Sequence, residues 1–257
     1  MTFDEFIQIG RVRAKMVSYQ RKKEQAIELC CQLLSDYQAP YLSLSGGKDS
    51  VAMCFLVDEA ARECGKDFRI WTHLSDASFP GTEEICREVA MRLGRKLDVY
   101  RSSVSAFDGL DRKKKQSFGK SGVFFDSIRE YAKDKDLSFV GVRASESKRR
   151  ANAARAHGQV FHSASMGNLM VCHPILWFRL EDVAALLSEY DAPIHPIYRK
   201  LQIAKGLNGM KEDQFIRLGY ITSKDLLNKG TAVFLKINYP DQFNRLANAW
   251  PEVRLWV

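Results

Sequence analysis

The sequence predicts an α/β domain built on a doubly wound, mainly parallel sheet, with N-terminal helices and a mostly helical C-terminal extension. Three observations carry this. Short apolar runs alternate with amphipathic stretches between residues 40 and 150. Breaks rich in Gly or Pro separate them. Ser45, Asp76 and Arg143 follow directly on the runs, at the strand ends where ligands sit on such sheets.

The elements follow in order. Asp4 to Tyr37 reads as helical, with Phe6, Ile9, Val12 and Met16, then Ile27, Leu29, Leu33 and Leu34, at three- and four-residue spacing. Arg21-Lys22-Lys23-Glu24 reads as a solvated face or a bend, and Pro40 closes the region. Tyr41–Leu44 is a buried strand, and Val51–Cys64 a helix ended by Gly65. Phe68–Leu74 is a second strand. Pro80-Gly81 breaks it, and Thr82 caps a helix running to Leu93. Lys96–Tyr100 and Leu137–Val142 are the third and fourth strands. Asp111 to Gly122 between them is polar and basic and reads as a mobile loop. The division expected is 1–39 helical segment, 40–200 nucleotide-binding domain and 201–257 helical extension on the core. Phe215, Leu226, Leu227, Phe234, Phe243, Leu246 and Trp250 supply the apolar faces of that extension, or of a homodimer interface.

A chain of 257 residues, 46% hydrophobic and 27% charged, buries a full core without disulfide or metal staples. Its net charge of +8 favours anionic partners. Cys30, Cys31, Cys54, Cys64, Cys86 and Cys172 form no C-x-x-C pair, so neither a zinc site nor an iron–sulfur cluster is expected. The mixed, charged N-terminus is unlike a signal peptide, and no apolar run spans a bilayer. A reducing cytoplasm is the expected compartment.

The strongest local signal is Ser45-Gly46-Gly47-Lys48-Asp49-Ser50 between a strand and a helix. The glycines let the backbone turn tightly against phosphate, and the helix start adds a positive dipole end. Lys48 adds a point charge, and Ser45 and Ser50 add hydroxyls. The spacing is not that of the Walker loop.

This hexapeptide resembles the PP-loop of the adenine nucleotide α-hydrolase superfamily, and within it the chain resembles the phosphoadenosine phosphosulfate (PAPS) reductase family. Phe79-Pro80-Gly81-Thr82 is similar to that family's F-P-x-T. Gly141-Val142-Arg143-Ala144-Ser145-Glu146-Ser147-Lys148-Arg149-Arg150 is similar to its G-[IV]-R-x-x-E-S-x-R-R. His173-Pro174-Ile175-Leu176-Trp177 with Glu181-Asp182-Val183, and His195-Pro196-Ile197-Tyr198, resemble two further segments.

The resemblance implies an adenine nucleotide bound by Ser45 to Ser50, Asp76, Gly141, Arg143, Glu146 and Arg150. Lys48, Asp49 and Arg143 then act on the phosphates, and Asp49 and Asp76 hold magnesium. The residues leave several roles open. Arg143 can fork onto a phosphate or sulfate, or form a structural ion pair. Glu146 can face the ligand or pair with Arg149 or Arg150. Asp76 can hold a metal, a ribose or a base, or simply shape a turn. His73 and His173 read as packed side chains or as catalytic ones.

The reductases resembled here use a nucleophilic cysteine in a C-terminal E-C-G-[IL]-H tail. No cysteine follows Cys172, and Tyr220 stands where an R-x-G-C cysteine is expected. The reading is therefore an ATP pyrophosphatase that adenylates an acceptor. The chain resembles most the short, cluster-free adenylating proteins of bacterial DNA phosphorothioation. ATP and magnesium are the implied cofactors. DNA, contacted through Arg112–Lys120, and a cysteine desulfurase are the implied partners. That basic run can equally be an exposed charge run. Two other readings stand beside this one. A sulfonucleotide reductase would have to use Cys172 or Cys86. A nucleotide-sensing subunit would bind without turnover.

Overall fold

In a computed structural model, the described residues are 2–200, 219–224 and 226–257, those from 116 to 123 by backbone alone. Thr2 opens the first helix with a capping box, its hydroxyl accepting from the Glu5 amide at 3.1 Å. The helical N-terminus is two helices, α1 (Phe3–Arg13) and α2 (Val17–Asp36). The break lies at Ala14–Met16, not at Arg21–Glu24, which runs inside α2. Lys22 and Lys23 are not simply solvated. Lys22 meets Asp182 at 2.6 Å, and Lys23 meets Glu59 at 2.9 Å. Ile9, Val12 and Met16, expected in the core, lie 45%, 62% and 45% exposed. Phe3, Phe6 and Gly10 form the buried face of α1 instead.

The central sheet holds β1 (Pro40–Ser43), β2 (Arg69–Leu74), β3 (Leu97–Arg101), β6 (Leu137–Val140), β7 (Val160–Ser163) and β8 (Leu169–Cys172). Its order is β3-β2-β1-β6-β8-β7, parallel throughout except for β7 against β8. Mostly parallel strands flanked by helices are the predicted class. The edge pair β7–β8 was not predicted, because each strand is only four residues long and half-buried residues blur its period.

Connecting helices are α3 (Lys48–Glu63), α4 (Thr82–Leu93), α5 (Phe118–Tyr131), α6 (Lys148–His157) and α7 (Leu180–Glu189). The expected mobile loop contains a short hairpin, β4 (Leu110–Asp111) against β5 (Gln116–Ser117). Asp111 Oδ1 accepts from the Lys113 and Lys114 amides at 3.0 and 3.2 Å, which sets the turn.

C-terminally, α8 (Lys229–Asn238) and α9 (Pro240–Ala249) lead into a terminal 3-10 turn, Pro251–Trp256. Leu227, Phe234, Phe243, Leu246 and Trp250 join the same buried cluster as α3 and the sheet. Phe215 lies outside the described residues. No helix among the described residues is long and apolar enough to cross a membrane.

Candidate active site

The strand order reverses between β1 and β6, which makes their carboxyl ends the switch point of the sheet. Ser43 pairs with Val140 there. Ser45 to Ser50 therefore follows one strand, and Gly141 to Arg143 leaves the other. A Cβ on Gly141 would stand 2.9 Å from Ser50 Cα, so only glycine lets β6 close onto the first turn of α3.

The loop holds its own shape. Gly46 takes φ +74°, the left-handed region that glycine occupies without strain. Ser50 Oγ accepts from the Ser45 amide at 3.2 Å and donates to Gly47 O at 2.9 Å, and it lies 3.0 Å from Ser45 Oγ. Helix α3 begins at Lys48, three residues before the expected start. Lys48, Asp49 and Ser50 thus occupy its first turn, where amides lack intrahelical acceptors. The Lys48 amide donates to Tyr198 Oη at 2.8 Å. This gives the His195–Tyr198 segment a role that sequence reading missed.

The side chains at this turn form a buried charge triad. Lys48 Nζ lies 2.5 Å from Asp49 Oδ2, and Arg143 Nε lies 2.5 Å from Asp49 Oδ1. Lys48 and Arg143 are only 4% and 3% exposed. Burial alone would raise the Asp49 carboxyl, but the two cations hold it below the usual carboxylate range. Burial pushes the Lys48 ammonium down, and Arg143 adds to this, while Asp49 pulls it up. Both directions agree with one arrangement: two cations share a single carboxylate. The centre carries one excess positive charge and suits an anion richer in charge than Asp49.

Glu146 joins from the next turn. Its Oε2 accepts from the Arg143 amide at 3.0 Å and pairs with Arg150, so the ion-pair reading of this carboxylate is the one seen. Ser147 Oγ caps α6 by accepting from the Arg150 amide. Asp76 is engaged elsewhere. Its carboxylate accepts from Ser105 Oγ at 2.5 Å and from the Ala106 amide at 2.8 Å, which organises the loop after β3. The structure thus gathers Ser45 to Ser50, Gly141, Arg143, Glu146 and Arg150, while Asp76 holds the loop after β3. Among the described residues no three His, Cys, Asp or Glu side chains cluster closely enough to hold a metal unaided.

Two motifs meet beside the loop. Thr82 does not cap α4; its hydroxyl donates to Phe79 O at 2.7 Å and lies 3.2 Å from His195 Nε2. His195 Nδ1 accepts from the Ile197 amide, so the ring is neutral with its proton on Nε2. Burial and nearby Lys200 push it down to about 4. His173 is also driven to about 4 by burial and Arg150. Beyond β2, Tyr220 Oη lies 2.8 Å from His73 Nδ1 and donates to His73 O, so the tyrosine in the expected cysteine position is a packed partner. Cys86, beneath Gly46, is pushed up to about 11 by burial, and burial raises Cys172 as well.

The basic run is partly accounted for by structure. Arg112 donates to Ala249 O at 3.2 Å, and Lys115 Nζ sits 5.2 Å from the Trp256 ring centre. Both tie the hairpin to the C-terminal turn. The side chains from 116 to 123, Lys120 included, lie outside the described ones.

Several solved structures share this fold. A PAPS reductase from Candida auris shares 13% identity at a TM-score of 0.53, covering 87% of this chain and 97% of that one. The U34-tRNA thiolase NcsA from Methanococcus maripaludis shares 11% at 0.54, covering 93% and 78%. The FMN adenylyltransferase of Candida glabrata, solved with FMN and an ATP analogue, shares 15% at 0.52, covering 76% and 68%. At these identities the likeness is one of fold. No curated protein matches the sequence. Residues 39–224, which carry the loop, the charge triad and the His195–Tyr198 anchor, match the phosphoadenosine phosphosulfate reductase domain, and the chain belongs to that family.

Proposed function

We propose that this protein is an ATP pyrophosphatase that cuts ATP between its α- and β-phosphates and transfers AMP to an acceptor oxygen. The carrying observation is the buried Lys48–Asp49–Arg143 triad at the switch point, with its excess positive charge. A triphosphate competes with Asp49 for both cations. Lys48 and Arg143 then turn onto phosphate oxygens, where their charge stabilises the developing pentavalent centre. The acceptor oxyanion attacks the α-phosphorus, the bridging P–O bond breaks, and pyrophosphate leaves with the electron pair. Gly46, Gly47 and the first turn of α3 offer the backbone cradle. Asp49, once released from its cations, would be the residue that holds magnesium. Bound there, the ion would neutralise charge on the leaving pyrophosphate. Asp76 keeps a second place in this scheme only if Ser105 and Ala106 release it.

The acceptor we propose is DNA backbone phosphate, activated for sulfur incorporation. A separate sulfur donor, such as a cysteine desulfurase, would then displace AMP. A sulfonucleotide reductase that used Cys86 or Cys172 would need a thiolate, and burial opposes ionisation of both. The unpaired cysteines suit a reducing compartment such as the cytoplasm. The test is incubation of purified protein with ATP, magnesium and DNA. Pyrophosphate should form with an equal amount of AMP joined to the DNA, and free AMP should appear only as water or an added sulfur donor displaces it. Release of orthophosphate alone, or sulfite formation from PAPS with a thiol reductant, would overturn the reading.

A further inference from the structure

We propose that α6 is the docking surface for the acceptor, and that the partner it takes is duplex DNA held by its backbone. The inference rests on the reading of the acceptor as DNA, but its evidence is separate. From Ser147 to Leu180 the chain has no Asp or Glu and five Lys or Arg. Helix α6 displays that charge: Lys148, Arg149, Arg155 and His157 are exposed. Several surface arginines elsewhere are neutralised. Arg62, Arg87, Arg92, Arg101 and Arg129 each face a carboxylate. Lys148, Arg149 and Arg155 face none among the described residues. The one paired arginine of α6 is Arg150, which turns inward to Glu146.

The helix also points the right way. It starts directly after Arg143–Ser147, so a polyanion lying on it meets the triad end at its N-terminus. Lys148, Asn152 and Arg155 recur at four and three residues and share one face. Arg155 donates to Asn152 Oδ1 at 2.9 Å, which fixes that stripe. Lys148 and Arg155 stand about 10 Å apart along the axis at 1.5 Å rise per residue. A duplex carries one charge per ~1.7 Å of its axis, so its phosphates recur well within the spacing of the two side chains. A lipid surface fits less well. The apolar side of α6 is alanine, and Ala154 is buried against Ala144 and Leu176, leaving no large apolar residue exposed on the helix. The basic hairpin competes poorly, since Arg112 and Lys115 are tied to the C-terminal turn.

The test uses the full chain and a short fluorescein-labelled duplex, titrated by anisotropy over a KCl series. The Lys148→Glu/Arg155→Glu double variant should bind about tenfold or more weakly at low salt, and its log K against log salt slope should flatten by about 2. Its thermal shift with ATP should equal that of the unaltered protein. Lys148→Gln/Arg155→Gln should show the same trend more mildly, and covers the case in which charge reversal impairs folding. Unchanged duplex affinity in both variants would overturn the proposal. So would loss of binding on Lys113→Glu/Lys114→Glu alone, or tighter binding of RNA or an acidic polypeptide at matched salt. If duplex binding follows the prediction but ATP yields no pyrophosphate, the docking surface stands and the catalytic reading falls.

Discussion

At the residue scale, the centre is a problem of three charges in a small buried volume. Two cations and one carboxylate are stable together because Asp49 accepts from both sides. Removing the carboxylate should be costly, since Lys48 and Arg143 would then repel each other out of water. Asp49→Asn should lower stability by about 3 kcal/mol, the usual cost of breaking a buried pair. Pyrophosphate or ATP should restore much of it by replacing the lost anion. Removing Lys48 should do the opposite. Lys48→Met leaves the Asp49–Arg143 pair intact and discards a poorly solvated ammonium, so the melting temperature should hold or rise. Pyrophosphate release should fall on the order of 10²-fold, as when one fixed transition-state donor is lost. Differential scanning fluorimetry with and without nucleotide, beside a pyrophosphate assay, separates the two variants. A loss of stability in Lys48→Met, or no nucleotide rescue in Asp49→Asn, would show that the triad is scaffolding. The triad residues were all legible in the hexapeptide and the Gly141–Arg150 segment. Their mutual contacts were not, because nothing along the chain says that β6 adjoins β1.

At the element scale, the site depends on segments distant in sequence being locked together. Helix α3 is anchored at its first amide by Tyr198, and the Phe79–Thr82 turn is fastened to His195. The motifs announced that these segments matter, but the physical reason emerges only in three dimensions: they hold one another. The misplaced bend has the same kind of cause. Basic residues at 21–24 looked like a solvated break, yet long side chains of α2 reach carboxylates on α3 and α7. His195 makes this locking pH-dependent. Its ring is neutral in the fold, with a value near 4 against an ordinary 6.5. The unfolded chain therefore binds the extra proton first. Stability from this site is complete above about pH 6.5 and falls as pH drops toward 4, by up to about 3 kcal/mol at 1.36 kcal/mol per unit. Denaturant melts at pH 7 and pH 5 should show the loss. His195→Gln, which can keep the Nε2-side donor, should reduce that pH dependence. An unchanged dependence would place the titration elsewhere.

At the scale of the whole molecule, a single buried cluster runs from Phe3 and Phe6 through α3 and the sheet to Phe243 and Val253. The N-terminal helices and the described residues of the C-terminal extension, which the sequence places on the core, thus share one core with the sheet. Asp182 is the polar tie between the N-terminal helices and the rest. It is fully buried and accepts from Arg13 at 2.7 Å, Lys22 at 2.6 Å and the Arg179 amide at 2.8 Å. Burial would raise this carboxyl, but Lys22, the Arg179 amide and Arg13 hold it below the usual carboxylate range. It stays ionised at neutral pH and joins α1, α2 and α7 at one point. Shared core and shared carboxylate together predict one cooperative unfolding transition, the same by near-ultraviolet circular dichroism and by loss of nucleotide binding. Asp182→Asn leaves Arg13 and Lys22 short of their anion. It should lower that single transition by about 3 kcal/mol, moving both probes together. If instead nucleotide binding survives while part of the circular dichroism signal melts early, the N-terminal helices are a separable unit, and the site needs only the sheet, α3 and the Tyr198 anchor.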